Sequence, residues 1–251
     1  MARRAVLGRT VSVLGSAPAE LIDLNNSVDV VLTANDQLLL NADDSALAMG
    51  ANAMLVGGEL IQFGRALELV PGQFRLSRLL RGRRGTEWAI AGHALGERVV
   101  LVDRATLVDV ALDPGAFGAA VSATAHGVAD NPLSPPTATA TAQGEALRPL
   151  APGHAAAAPY SGATIRVSWQ PRSVAGLAWV DGAGDPDLAG RRFAVTIAIG
   201  AANWAGEAVG ATSLIVDAAS AAALGHGPAT VTVSEIGAAA ASRAALASAI
   251  I

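Results

Sequence analysis

Residues 75–88 read RLSRLLRGRRGTEW and hold five arginines, Arg75, Arg78, Arg81, Arg83 and Arg84, within ten positions. They follow an apolar segment, GGELIQF, and run into a Gly-Thr-Glu turn. So dense a set of guanidinium groups either grips a polyanion or is consumed inside the protein by carbonyls and carboxylates. The first outcome makes a ligand-binding surface. The second demands a fold that brings acceptors from distant parts of the chain to one loop.

The charge balance bears on that choice. The chain has 251 residues, 17 basic and 21 acidic, for a formal net charge of −4. The arginine run is therefore local, whereas general nucleic-acid affinity needs a wide positive surface. All basic residues are arginine, which with abundant alanine and glycine points to a GC-rich coding sequence. Cysteine is absent, so neither a disulfide framework nor a thiolate metal site exists. At the N-terminus, Met-Ala-Arg-Arg and Ala17-Pro18-Ala19 imitate a secretory signal. Arg9, Thr10 and Ser12 interrupt its apolar part, so no signal peptide is expected. No stretch approaches the roughly 18 uninterrupted apolar residues of a spanning helix, so no membrane insertion is expected.

Local patterns predict an all-β chain. Short apolar or β-branched runs at 28–32, 38–40, 54–56, 60–63, 67–69, 74–76 and 98–103 read as strands. Gly57-Gly58 suits a tight hairpin, and Pro71-Gly72 suits a type II turn. Asp43 or Asp44 is placed to cap a helical turn over 43–49. A further hairpin is expected between 106–112 and 119–125. Strands at this spacing predict a small barrel or a sandwich. Residues 131–159 carry six prolines and read as a break, with a domain boundary near 147–152. Beyond it, Ile165, Val167 and Trp169 share one face, as do Phe193, Val195, Ile197 and Ile199. With strands at 213–216 and 230–233, this predicts a β-sandwich of fibronectin type III or immunoglobulin kind. The expected division is a β domain over 1–147, a linker over 148–160, a fibronectin type III-like sandwich over 161–237, and an alanine-rich tail over 238–251, either a short helix or frayed.

Catalytic chemistry is not apparent. His93, His126, His154 and His226 are scattered without metal-ligand spacing and read as exposed loop residues. Asp43-Asp44 fits capping better than a glycosidase pair, whose acids flank a sugar from opposite sides. Gly82 and Gly85 sit in no phosphate-loop motif. Residues 181–187, DGAGDPD, lack the trailing glutamate of a calcium loop and read as a solvated turn. No enzyme activity, metal or cofactor is expected. The arginine run is then read as a structural set comprising Arg75, Arg78, Arg81, Arg83, Arg84 and Glu87, with Glu87 and Glu59 as candidate carboxylate partners. Few aromatic residues flank it, which disfavours nucleic acid as a partner.

The string from ALAMGANAMLVGGELIQF through LSRLLRGRRGTEW to GHALGERVVLVD resembles the C-terminal region of the large tail-tip proteins of gene transfer agents and siphophages, the baseplate megatron or phage tail proteins. The residues that carry the likeness are Gly50-Ala51-Asn52, residues 58–63, residues 76–87 and residues 93–100. It is good over 28–152 and loose beyond. The resemblance implies a structural component of a tail tip or baseplate, assembled in a bacterial host cytoplasm. Other hub proteins would be its partners, it would form a homo-oligomer (a trimer being one arrangement), and it would take part in host attachment. Nothing matches the glycosidase-like domain of the larger relatives, so their hydrolysis is not carried over. An alternative is a non-catalytic module for host cell-surface polysaccharide. Its candidate contacts are Trp179 and Trp204, the latter taken as the better exposed ring.

Overall fold

The computed structural model describes residues 4–19, 21–103, 107, 111, 113–127, 131, 133–173 and 188–251. The fold is all-β, and the chain divides into two compact units, Met1–Asp109 and Val110–Ile251.

The first unit is a closed antiparallel barrel. Its strands are β1 (Leu7–Thr10), β2 (Ile22–Leu32), β3 (Ala53–Val56), β4 (Glu59–Val70), β5 (Gln73–Leu80) and β6 (Arg98–Leu101), arranged around it in the order β1-β2-β5-β4-β3-β6. Closure comes from β1, which pairs with both β2 and β6 and so leaves no open sheet edge. This strand lies within the segment that imitates a signal sequence. Alternation places Val28, Val30, Met54, Val56, Ile61, Phe63, Phe74, Leu76 and Val99 in one buried core. The β3–β4 turn is Gly57-Gly58, and Gly72 in the β4–β5 turn has φ 78°, as the third position of a type II turn requires. A short helix, α1 (Asp44–Ala48), begins at Asp43, whose side chain accepts from the Ala46 N–H. Residues 38–40, expected as a strand, are not one; only Leu39 of the three is buried there.

One irregularity matters more than the rest. Within β5, Arg78 has φ 58°, opposite Gly64 of β4. A Cβ on Gly64 would lie 3.1 Å from Arg78 Cδ, so the glycine makes room for the kink. The kink slips the alternation by one residue. Phe74 and Leu76 are buried before it, and Leu79 and Arg81 are buried after it. Strict period two would have put Arg81 on the outer face with Arg75.

In the second unit, β7 (Ala120–Thr124) pairs with β8 (Thr137–Thr141) as a separate two-stranded sheet. The expected partner at 106–112 lies largely outside the described residues. The observed partner comes instead from the proline-containing segment read as a break. The remaining strands are β9 (Gly153–Tyr160), β10 (Thr164–Gln170), β11 (Arg192–Ile199), β12 (Ala202–Val209), β13 (Ser213–Val216), β14 (Pro228–Ile236) and β15 (Ala245–Ile250). They form a three-stranded sheet, β13-β10-β9, and a four-stranded sheet, β12-β11-β14-β15. Three strands facing four in this order make a fibronectin type III-like sandwich. Both sheets contribute to one core, in which the rings of Trp169 and Phe193 have centroids 5.3 Å apart. A helix, α2 (Ala218–Leu224), joins β13 to β14 and is capped by Asp217.

Two segments differ from their sequence reading. Much of the proposed linker is β9, and the proposed tail contains β15. Both are rich in alanine, so neither shows strong strand propensity, and pairing with β10 and β14 supplies the backbone partners that hold them extended.

Candidate functional site

The arginine-rich loop seals one end of the barrel, where β2 and β4 begin and β5 ends. Gly82 has φ 57°, Arg84 φ 55° and Gly85 φ 86°, so the chain turns through left-handed backbone three times in four residues. Glycine accepts that conformation readily. Gly82 is also crowded: a Cβ there would lie 2.8 Å from Glu87 Cγ and 2.9 Å from Ile90 Cδ1.

Beneath this turn lies a buried ionic cluster. The Arg81 side chain is 0% exposed. Its Nε donates to Glu59 Oε1 at 2.9 Å and its Nη2 to Glu59 Oε2 at 2.8 Å, a bidentate pair. Its Nη1 donates to the Gly15 carbonyl at 2.8 Å and to Asp23 Oδ2 at 3.1 Å. Glu59 also accepts from the Gly82 N–H at 2.6 Å. The His93 ring, 2% exposed, bridges two carboxylates: Nε2 is 2.6 Å from Glu59 Oε2, and Nδ1 is 2.7 Å from Glu97 Oε2. Burial pushes the Asp23 carboxyl up, but hydrogen bonds from the Asn26 side chain, the Asn26 and Asn25 N–H groups and Arg81 outweigh it. They hold Asp23 below the ordinary aspartate range.

Neighbouring polar residues extend the cluster. Gln62 donates to the Leu47 and Ala51 carbonyls, both at 2.8 Å, and accepts from Arg83 Nε at 2.8 Å. Thr86 Oγ1 accepts from the Leu60 N–H at 2.9 Å and donates to the Arg83 carbonyl at 2.8 Å. Asn52 ties the Leu40 carbonyl at 2.8 Å to the Phe63 carbonyl at 2.9 Å. These bonds pin α1, the Arg83 turn and the start of β4 to one another.

The structure separates the arginines that sequence grouped. Arg81 is central and Arg83 joins through Gln62. Arg75 lies on the outer wall, where it forms an ion pair with Asp29 at 2.8 Å that holds Asp29 below the ordinary range. Arg78 pairs with Asp44 of α1. Arg84 is exposed. Glu59 is the bidentate partner of Arg81; Glu87 instead packs its Cγ close to Gly82. Sequence reasoning missed Asp23 and read His93 as an exposed loop residue, whereas His126, His154 and His226 are exposed. His93 carried a signal in hindsight, since Glu97 follows it by four residues in a loop anchored to β1 through Thr10. Trp204, taken as an exposed ring, is partly buried against the sandwich core and covers Gly206. Its position in the alternation of β12 turns it inward. Trp179 lies outside the described residues.

Chemically, the cluster is closed. Glu59 and Arg81 have no exposed side-chain surface, and both ring nitrogens of His93 are engaged. Among the described residues, no group of three or more His, Cys, Asp or Glu side chains is arranged to hold a metal ion. Likewise, no helix among them is long and apolar enough to cross a membrane.

The fold and the cluster together define the class: a two-unit all-β protein whose N-terminal barrel is sealed by a buried arginine–carboxylate cluster. Residues 5–100 match the family model described as Rcc01698-like, C-terminal. That span covers the barrel from ahead of β1 almost to the end of β6. No curated protein matches the chain.

Proposed function

We propose that this protein is a structural component of a phage or phage-like tail tip or baseplate, packing on hub proteins and taking part in host attachment. The observation that carries this reading is the internal use of the signature residues. Glu59, Gln62, Arg81, Gly82, Thr86 and His93 form bonds to one another and to backbone, leaving no open set of reactive groups. Residues so used define a rigid module suited to permanent assembly. The tail-tip assignment itself rests on the resemblance of the same residues to gene transfer agent and siphophage tail proteins. A homo-oligomer within the particle belongs to this reading.

Antibody-gold labelling of purified particles tests it. Label at the tip of the tail is the expected result. Particles free of this chain, or label on the head, would overturn the assignment. The alternative of a cell-surface glycan module is less favoured, because Trp204 is partly buried against the sandwich core.

A further inference from the structure

Where the base of the β7–β8 hairpin meets the β14–β15 connection, the second unit holds a cleft of about 360 Å³, at the lower end of the range for small-ligand sites. Phe117, Gln143, Leu147 and Arg148 line it. Its walls are tied together. The Gly118 N–H donates to the Ala142 carbonyl at 2.9 Å, which fixes the base of the hairpin. Arg148 Nη1 donates to the Ala241 carbonyl at 2.9 Å, and Arg243 Nη2 donates to Glu145 Oε1 at 2.7 Å. Those two bonds hold the Glu145–Leu147 turn against the connection that follows β14.

Three features set the chemistry of this cleft. Gly144 has φ 65°, and a Cβ there would lie 2.9 Å from Phe117 Cδ1, so glycine lets the ring rest on backbone. Phe117 still keeps 38% exposure, and Leu147 keeps 55%. Next, Glu145 is shared by two guanidiniums, Arg243 at 2.7 Å and Arg148 at 3.4 Å, so the three side chains carry one positive charge in excess. Finally, donors are left over. Arg148 keeps 30% side-chain exposure and hydrogen-bonds only through Nη1 among the described residues. The Gln143 side chain is exposed and bonds to nothing among them.

A half-open aromatic ring beside a spare guanidinium and a spare amide suits a ligand that is itself two-faced. A wholly apolar acid would stay half in water here, and a bare anion would gain nothing from Phe117. A sugar ring presents C–H groups on one face, which meet the negative face of an aromatic ring, and hydroxyls at its rim. A carboxylate on that sugar adds a charge-assisted pair with arginine. We propose that the cleft binds a carboxylated sugar residue of an acidic polysaccharide, with its carboxylate on Arg148, its C–H face on Phe117 and a hydroxyl on the Gln143 amide. This site supplies the host-attachment part of the proposed function with a ligand class, and its role rests on that reading. The binding itself is a property of the purified chain.

Titration of the ¹⁵N-labelled full chain with trigalacturonic acid, followed by NMR, tests it. Saturable shifts are expected at the Gly118 and Gly144 amides, weakening as salt rises. Maltotriose, which lacks the carboxylates, should bind about tenfold more weakly. Arg148→Gln and Phe117→Ala should each lower the affinity for trigalacturonic acid about tenfold. Gln143→Ala and Gln143→Arg probe the cleft without touching its internal bonds: the first should weaken binding about threefold, and the second, by adding a cation, should tighten it. No saturable shift, equal affinity for maltotriose, acetate or inorganic phosphate binding as tightly as the trisaccharide, shifts confined to the barrel, or affinity unchanged in both Gln143→Ala and Arg148→Gln would each overturn the proposal. Label at the tail tip without binding here would overturn this site and leave the tail-tip assignment standing. Binding here by a chain absent from particles would do the reverse.

Discussion

In the barrel, the largest fully buried side chain is Arg81, held against Glu59 and Asp23; in the sandwich, the core holds Phe193 with the Trp169 ring packed against it at a tilt. The sandwich has its own arginine–carboxylate pair, Arg191 with Glu235, but those side chains keep 17% and 11% exposure and so retain some hydration. Two sheets facing each other need only apolar residues at alternate positions to fill the space between them. A six-stranded barrel must also seal its ends, and there irregular loops bring backbone groups that cannot be left bare. A multidentate guanidinium meets that need, at the cost of burying charge. The difference teaches that the barrel is specified by polar geometry and the sandwich by shape.

The comparison breaks most visibly at Arg81. Arg81→Ala leaves Glu59 and Asp23 buried without their cation, a loss of about 3–5 kcal/mol. Denaturant unfolding should show it, with a smaller loss for Arg191→Ala, whose partner can rehydrate. If the two losses were equal, burial would not be what distinguishes the clusters.

Next in size is the loop backbone. Gly82→Ala incurs about 1–2 kcal/mol for the left-handed conformation, plus the clash with Glu87 and Ile90. Gly96→Ala, at φ 82° with nothing within 4 Å, incurs the backbone part alone. Thermal melts of the two variants should differ by the packing contribution.

Acid sensitivity sharpens the contrast further. The folded Asp23 carboxyl lies below its unfolded value, so its contribution is present above that value and is lost as pH falls below about 4. Urea midpoints measured from pH 6 to 2.5 should therefore decline less steeply in Asp23→Asn than in the wild type. The variant will be less stable at neutral pH.

The smallest effect is expected in the sandwich. Trp169 Nε1 is buried with no hydrogen-bond partner among the described residues. Trp169→Phe removes that donor while keeping a ring beside Phe193, so the cost should stay below about 1.5 kcal/mol in a denaturant titration. A large loss would mean the indole nitrogen contributes to the core after all.

Much of the sandwich was legible because its strands carry their facing in local alternation: Ile165, Val167 and Trp169 point one way wherever β10 lies. The paired glycines at 57–58 and the Pro71-Gly72 turn were legible for the same reason, since turn conformation is set by the residues within it. β9 and β15 were not, because alanine contributes little strand preference of its own. The cluster was legible only in part. The arginine run announced that acceptors must exist, and Glu59 was a fair choice among them. His93 and Asp23 were hidden, lying respectively 34 positions beyond Glu59 and 58 before Arg81.

By itself, the sequence determined an all-β chain, the main turns, and the inward faces of the regular strands, because each depends on neighbours within a few residues. Which arginine enters the core was decided only in three dimensions. Arg81 turns inward because Arg78 kinks β5, the kink is accommodated because Gly64 happens to stand opposite, and the buried charge is tolerable because Glu59 and Asp23 arrive from other strands. No local pattern encodes such a coincidence, since the free energy of burying a charge is set by what the whole fold places around it.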